Sequence, residues 1–203
     1  MKLKQKFQKT ILCLGLSALS FSAHAVKVGA TAPDFTLKAG DGTEVKLSAA
    51  KGKYVVLEWL NHGCPFVKKH YESGNMQALQ KEFTDKGVVW YSVNSGAKGK
   101  QGYMTPADTL STQKEKKSVA TAVLIDADGK VGKTYDAKVT PHMYIINPEG
   151  KVVYNGAIDD KATTNTDDIA KAKPLFKLAL EAALAGKKIE LASNKPYGCS
   201  VKY

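Results

Sequence analysis

Residues 54–71 constrain the fold of this chain more than any other stretch. Tyr54-Val55-Val56-Leu57-Glu58-Trp59-Leu60 is a nearly continuous apolar run, Asn61-His62-Gly63 interrupts it, and Pro65 to Tyr71 reads as a short helix. An apolar run of that length fits a strand buried on both faces, which requires covering layers on both sides of a sheet. Pro65 suits the first helical position, where its missing N–H leaves nothing unsatisfied. Cys64 then falls at the N-cap, where first-turn N–H groups and the positive end of the helix favour thiolate over thiol. A second reading of Cys64 is a small buried hydrophobe with no chemistry.

The first 25 residues read as a secretory leader. Lys2, Lys4, Lys6 and Lys9 make a basic start, Thr10 to Phe21 is mostly apolar, and Ala23-His24-Ala25 has the small-x-small form of a cleavage site. The apolar part is too short for a membrane span. Leu12 stands before Cys13 where a lipoprotein signal would want Gly or Ala, so no lipid anchor is expected. Cleavage removes Cys13 and leaves Cys64 and Cys199 in an exported, periplasmic protein, where disulfides persist. The expected organisation is a leader at 1–25, one domain at 26–186 and a tail at 187–203.

The formal net charge is +11, and loss of the four leader lysines leaves about +7. Every basic residue other than histidine is a lysine, since the chain has no arginine. Arginine makes most bidentate phosphate and base contacts, so its absence argues against nucleic acid. A solvated lysine surface is expected.

Along the chain, Asp34 to Leu37 and Val45 to Leu47 flank Gly40-Asp41-Gly42-Thr43, a hairpin signal. Met76, Leu79 and Phe83 recur at helical spacing up to Gly87. Val88 to Val93 and Ala122 to Ile125 read as strands, Asn94 to Thr105 as a loop and Pro106 to Lys117 as a polar helix. Met143 to Ile146 and Val152 to Tyr154 flank Asn147-Pro148-Glu149-Gly150, a second hairpin, and Pro174 to Ala185 is the last helix. This order predicts an α/β protein with a mixed central sheet flanked by helices.

Four features give the chain a resemblance to the thioredoxin-like redoxins of the periplasm, a group that includes thiol reductases and peroxiredoxins. They are the strand–turn–Cys64–Pro65 helix start, Ala32-Pro33-Asp34-Phe35, Val139-Thr140-Pro141, and Ile145 through Val153. The resemblance implies a thioredoxin-like fold with Pro141 in the place of the cis-proline loop. Thr140 would then lie beside the Cys64 sulfur, its backbone free to pair with an extended substrate. Glu58 matches the buried acid of thioredoxins. Desolvated, it would titrate high and move protons to and from a thiol; the other reading places it at a solvated strand edge. His62 and His142 are candidates to stabilise a thiolate or take its proton, while His70 is expected at the surface.

The departures from the family pattern narrow the chemistry. Val67 stands where thioredoxins carry their second cysteine, so no Cys-x-x-Cys pair exists. Asn61 and Leu57 stand where peroxiredoxins carry Thr or Ser and Pro, and the peroxiredoxin arginine is missing. Cys199, in a tail expected to be loop-like and free to move, is the replacement partner: a resolving thiol or one end of a static disulfide. The first expectation is a thiol-disulfide oxidoreductase acting on a protein or small-molecule disulfide, with an unidentified thiol reductant and no cofactor. Alternatives are an atypical peroxidase acting on hydroperoxide, a copper(I) module using Cys64, His142 and Cys199, and a binding protein without turnover.

Overall fold

A seven-stranded mixed sheet forms the centre of the computed structural model, which describes residues 26–203. The expected leader and Cys13 lie outside the described residues. In chain order the strands are β1 (Thr36–Ala39), β2 (Glu44–Lys46), β3 (Val55–Trp59), β4 (Val89–Asn94), β5 (Ala122–Ile125), β6 (Val139–Thr140), β7 (His142–Ile146), β8 (Val152–Gly156) and β9 (Cys199–Ser200). The helices are α1 (Pro65–Glu72), α2 (Asn75–Thr84), α3 (Pro106–Glu115), α4 (Lys130–Thr134) and α5 (Leu175–Leu184). The main sheet runs β2-β1-β5-β4-β3-β7-β8, while β6 and β9 form a separate two-stranded ribbon.

β3 pairs parallel with β4 and antiparallel with β7, so it has strands on both sides and layers on both faces. That position explains its apolar run. Val56 and Leu60 pack with α1, α2 and α5 through Val67, Met76, Phe83, Phe176 and Leu180. Val55, Leu57 and Trp59 point the other way, into Phe35, Tyr91, Leu124, Tyr135 and Tyr144. Val56, Leu57 and Trp59 are fully buried, and each such side chain contributes about 1.5–3 kcal/mol. Glu58 shares its face with Val56 and Leu60, because side chains alternate along a strand.

The expected hairpins, the break at Ser73-Gly74 and the helices after Pro65, Pro106 and Pro174 are all present. Two elements differ from expectation. α4 follows the Asp126–Gly129 turn and spans five residues, too few and too polar for a periodic signal. Residues 187–203 are no free tail. Asn155 N–H donates to Ala192, Asn194 N–H to Asn155, Val201 N–H to Lys138 and Ala97 N–H to Lys202. These bonds and β9 lay the tail across the edge that carries Thr140.

Candidate active site

Cys64 sits at the end of β3 as the N-cap of α1, with φ −81° and ψ 125° and Pro65 immediately after it. Its carbonyl accepts from Val67 and Lys68 N–H at 3.0 and 2.9 Å. The preceding turn is fixed by Asn61, whose side-chain oxygen accepts from Gly63 N–H at 2.8 Å and whose amide donates to Gln101 at 3.3 Å. Gln101 returns a bond to the Gly63 carbonyl at 3.2 Å, so the 94–105 loop clasps the turn.

The Thr140–Pro141 bond is cis, and β6 runs up against the sulfur. As a thiol, Cys64 donates to the Thr140 carbonyl at 3.2 Å. Across β6 the register places Cys199 directly opposite Thr140, and the two thiols lie close enough that each perturbs the other's acidity. Cys64 is fully buried beneath this arrangement and Cys199 is half-buried; both are free thiols.

The two thiols are driven apart in acidity. Burial pushes Cys64 up, but its polar neighbours, the Cys199 thiol first and then the Val67 and Cys199 N–H groups and Thr140, outweigh it and leave Cys64 below an ordinary cysteine. The Thr140 hydroxyl is buried and has no hydrogen-bond partner among the described residues. Burial and the neighbouring Cys64 sulfur with its charge push Cys199 up to about 11. The arrangement makes Cys64 the more acidic of the two thiols and keeps Cys199 protonated near neutral pH.

Glu58 is the buried acid of the two readings. Its carboxylate accepts from Tyr71 Oη at 2.8 Å, Gln80 Nε2 at 3.1 Å, Trp90 Nε1 at 2.9 Å and Ser92 Oγ at 2.8 Å. Burial raises its pKa despite those four donors. No hydrogen bond joins it to Cys64 among the described residues.

The histidines depart from expectation. His62 packs edge-on against Tyr71 at 4.7 Å, and burial together with Lys116 lowers its pKa to about 4. His142 stacks on Tyr144 at 4.6 Å and bonds Asn155 at 2.7 Å; burial lowers it to about 4. Neither ring hydrogen-bonds the Cys64 sulfur, and both are neutral near pH 7. His142 follows Pro141 and packs on Tyr144, while its neighbour Met143 lies on the other face of the sheet, in the core cluster that includes Cys64. The three soft ligands of the copper reading are therefore not brought together. His70, expected at the surface, is fully buried, with Asn75 at 2.8 Å and Tyr197 at 3.3 Å. Lys69 breaks the expectation of a solvated lysine surface: its side chain is fully buried, 3.4 Å from Asp159 and 2.9 Å from the Lys161 carbonyl.

Asn61, Lys69, Asp159, Tyr197 and Gln101 carry no sequence pattern that marks them as site residues, Tyr197 partly excepted. Tyr197, two residues before Cys199, is the one with a usable signal, an aromatic beside a cysteine in a polar tail.

The comparison that decides the family is a match of residues 28–155 to the AhpC/TSA family. This chain belongs to the AhpC/TSA family. Family membership is supported by thiol-disulfide oxidoreductase ResA of Bacillus subtilis, 31% identical over 139 residues, which cover 68% of this chain and 71% of that protein. An uncharacterized conserved protein of Geobacillus kaustophilus superposes with a TM-score of 0.74 at 28% identity, over 88% of this chain and 93% of that one. The thioredoxin domain of a thiol-disulfide oxidoreductase from Bacteroides vulgatus superposes with a TM-score of 0.53 at 25% identity, over 72% and 98%. The fold is thioredoxin-like and the family is one of oxidoreductases.

Proposed function

We propose that this AhpC/TSA family member is an exported thiol-disulfide oxidoreductase in which Cys64 is the nucleophile and Cys199 the resolving thiol. The observation that carries the reading is the placement of Cys199 directly opposite Thr140, whose carbonyl accepts from the Cys64 thiol at 3.2 Å. The Cys64 thiolate attacks one sulfur of a disulfide R–S–S–R′, forming Cys64–S–S–R and releasing R′S⁻. Cys199 gives up its proton, attacks the Cys64 sulfur and expels RS⁻, which leaves a Cys64–Cys199 disulfide. The substrate has gained two electrons and the protein has lost two; an external thiol reductant restores the pair. The lowered pKa of Cys64 suits it to the attacking role, and the raised one of Cys199 makes resolution the step that needs proton removal.

Thr140 holds the Cys64 thiol through its carbonyl, its unpartnered hydroxyl is free to turn to a thiolate, and Pro141 ends the segment that does so. Glu58 acts through Tyr71 and the packing of α1 rather than on the sulfur. His62 and His142 shape the site as neutral rings. The exported location rests on residues 1–25, and the division into a domain at 26–186 and a tail at 187–203 follows the position of Cys199.

The test is Cys199→Ser treated with oxidised glutathione, followed by intact-mass and peptide analysis, with hydrogen peroxide in parallel. The variant is expected to accumulate glutathione on Cys64, while the parent proceeds to the internal disulfide. Identical products from the two proteins would refute resolution by Cys199. Faster oxidation of Cys64 by peroxide than by disulfide at equal concentration would move the assignment to a peroxidase.

A further inference from the structure

Cys199 lies between two aromatic residues, and each is seated in a site that the thiol chemistry does not use. On its N-terminal side, Tyr197 donates to Asp159, meets His70 at 3.3 Å and packs edge-on against Phe66 at 5.7 Å. Lys69, buried and paired with the same Asp159, lies 5.7 Å over the Tyr197 ring. Phe66, Lys69 and His70 all belong to α1, the helix that Cys64 caps. Between Tyr197 and Cys199, Gly198 runs so close to β6 that a Cβ there would lie 2.7 Å from the Thr140 carbonyl carbon.

The C-terminal side is held more lightly. Tyr203 drops into a notch that exists because residues 129 and 132 are glycines; a Cβ on Gly132 would lie 2.5 Å from the Tyr203 hydroxyl. That hydroxyl donates to the Ala137 carbonyl at 2.7 Å, and Lys133 lies 5.1 Å over the ring. With the backbone bonds from Val201 to Lys138 and from Ala97 to Lys202, this end has neutral hydrogen bonds and, among the described residues, no ion pair, a weaker seat than the buried Lys69–Asp159 pair on which Tyr197 closes. Weakly seated segments open first, at a fraction of the global unfolding free energy.

We propose that residues 196–203 form a strap closed over Cys64 in the reduced protein, pinned firmly at Tyr197 and loosely at Tyr203. Substrate reaches the sulfur when the Tyr203 end lets go, while Tyr197 keeps Cys199 within reach for resolution. Tyr197 is thus a positioning residue for Cys199, and Tyr203 a latch. The proposal rests on Cys64 being the nucleophile. It accounts for two facts that pull apart, a fully buried Cys64 and a sulfur biased toward thiolate.

The experiment measures alkylation of Cys64 in the full chain with a bulky maleimide and with iodoacetamide, each assigned by peptide mass mapping. The chains compared are the parent, Tyr203→Ala and Gly132→Ala. Gly132→Ala crowds the notch from the opposite wall and serves if Tyr203→Ala folds poorly. A latch variant is expected to raise the maleimide rate about tenfold, in proportion to the open population, with a smaller gain for iodoacetamide. Tyr197→Phe keeps the ring and loses the hydroxyl; it is expected to slow closure of the Cys64–Cys199 disulfide, which Tyr203→Ala leaves unchanged. The strap is overturned if hydrogen exchange shows the tail loosened in a latch variant while maleimide labelling stays at the parental rate. It is also overturned if folded parent labels as fast as chain unfolded in urea at the same pH. A Cys64 midpoint at or above the free-cysteine value of about 8.5 would refute the nucleophile instead, because the strap is judged on rate ratios at one pH.

Discussion

Glu58→Leu is expected to destabilise the protein by several kilocalories per mole and Glu58→Gln by much less. Trp90 Nε1, Ser92 Oγ and the Tyr71 hydroxyl proton each have Glu58 as their acceptor, and all three side chains are buried. If one hydroxyl turns to a backbone carbonyl in the leucine variant, two donors stay orphaned. At about 1–3 kcal/mol per orphan the loss is about 2–6 kcal/mol. In the glutamine variant the amide oxygen can take the three bonds now made to Oε2, and the amide nitrogen can donate to the Tyr71 oxygen. Glu58 also carries a pH signature. Burial raises its folded pKa above the unfolded value, so between those two values the folded state holds the proton that the unfolded state has lost. Stability therefore falls as pH rises through that window, by at most about 1.4 kcal/mol per pH unit, and Glu58→Gln removes this dependence. Urea unfolding at constant salt from about pH 4.5 upward measures both effects. A leucine variant as stable as the glutamine variant, or parallel pH curves for parent and glutamine variant, would refute the reasoning.

Gly198→Ala, which forces a Cβ against Thr140 at φ +142°, is expected to slow closure of the internal disulfide by about 10- to 100-fold. Its urea midpoint should stay near the parent's, because β9 contributes only two residues to the sheet structure. Asp159→Ala strands the Lys69 ammonium in a buried site and is expected to cost about 3–5 kcal/mol in urea unfolding, with most of it regained in Lys69→Met/Asp159→Leu. The pH profile of Cys64 alkylation should show no added step near about 6.5, since His62 and His142 are lowered to about 4. His142→Asn should leave the alkylation midpoint where it was; a shifted midpoint would show that the imidazole reaches the thiolate.

The legible parts of the fold were those with a local cause. β3 could be read because burial on both faces leaves little room for polar residues, and Cys64 because Pro65 marks the helix start. The residue pattern alone leaves Glu58 between two readings, and the position of β4 decides between them. The strand register sets Glu58 beside Ser92, and Trp90 and Ser92 then supply donors from the same face. The burial of Lys69 and His70 was not legible, since their shared partner Asp159 arrives from the loop after β8, about 90 residues along the chain. The tail misled for the same reason. Its composition is that of a loop, and what fixes it is a set of distant acceptors, Asp159 for Tyr197 and Ala137 for Tyr203. The five residues of α4 carried no periodicity to read.

A redox titration tests the pairing of Cys64 with Cys199 most directly. The full chain is equilibrated across ratios of reduced to oxidised glutathione, acid-quenched, and each cysteine is assigned by mass as free, glutathionylated or internally bonded. The account predicts one reversible two-electron transition between two free thiols and a Cys64–Cys199 disulfide, with the same midpoint approached from either side. Two free thiols throughout, or an internal bond that no ratio reduces, would contradict it.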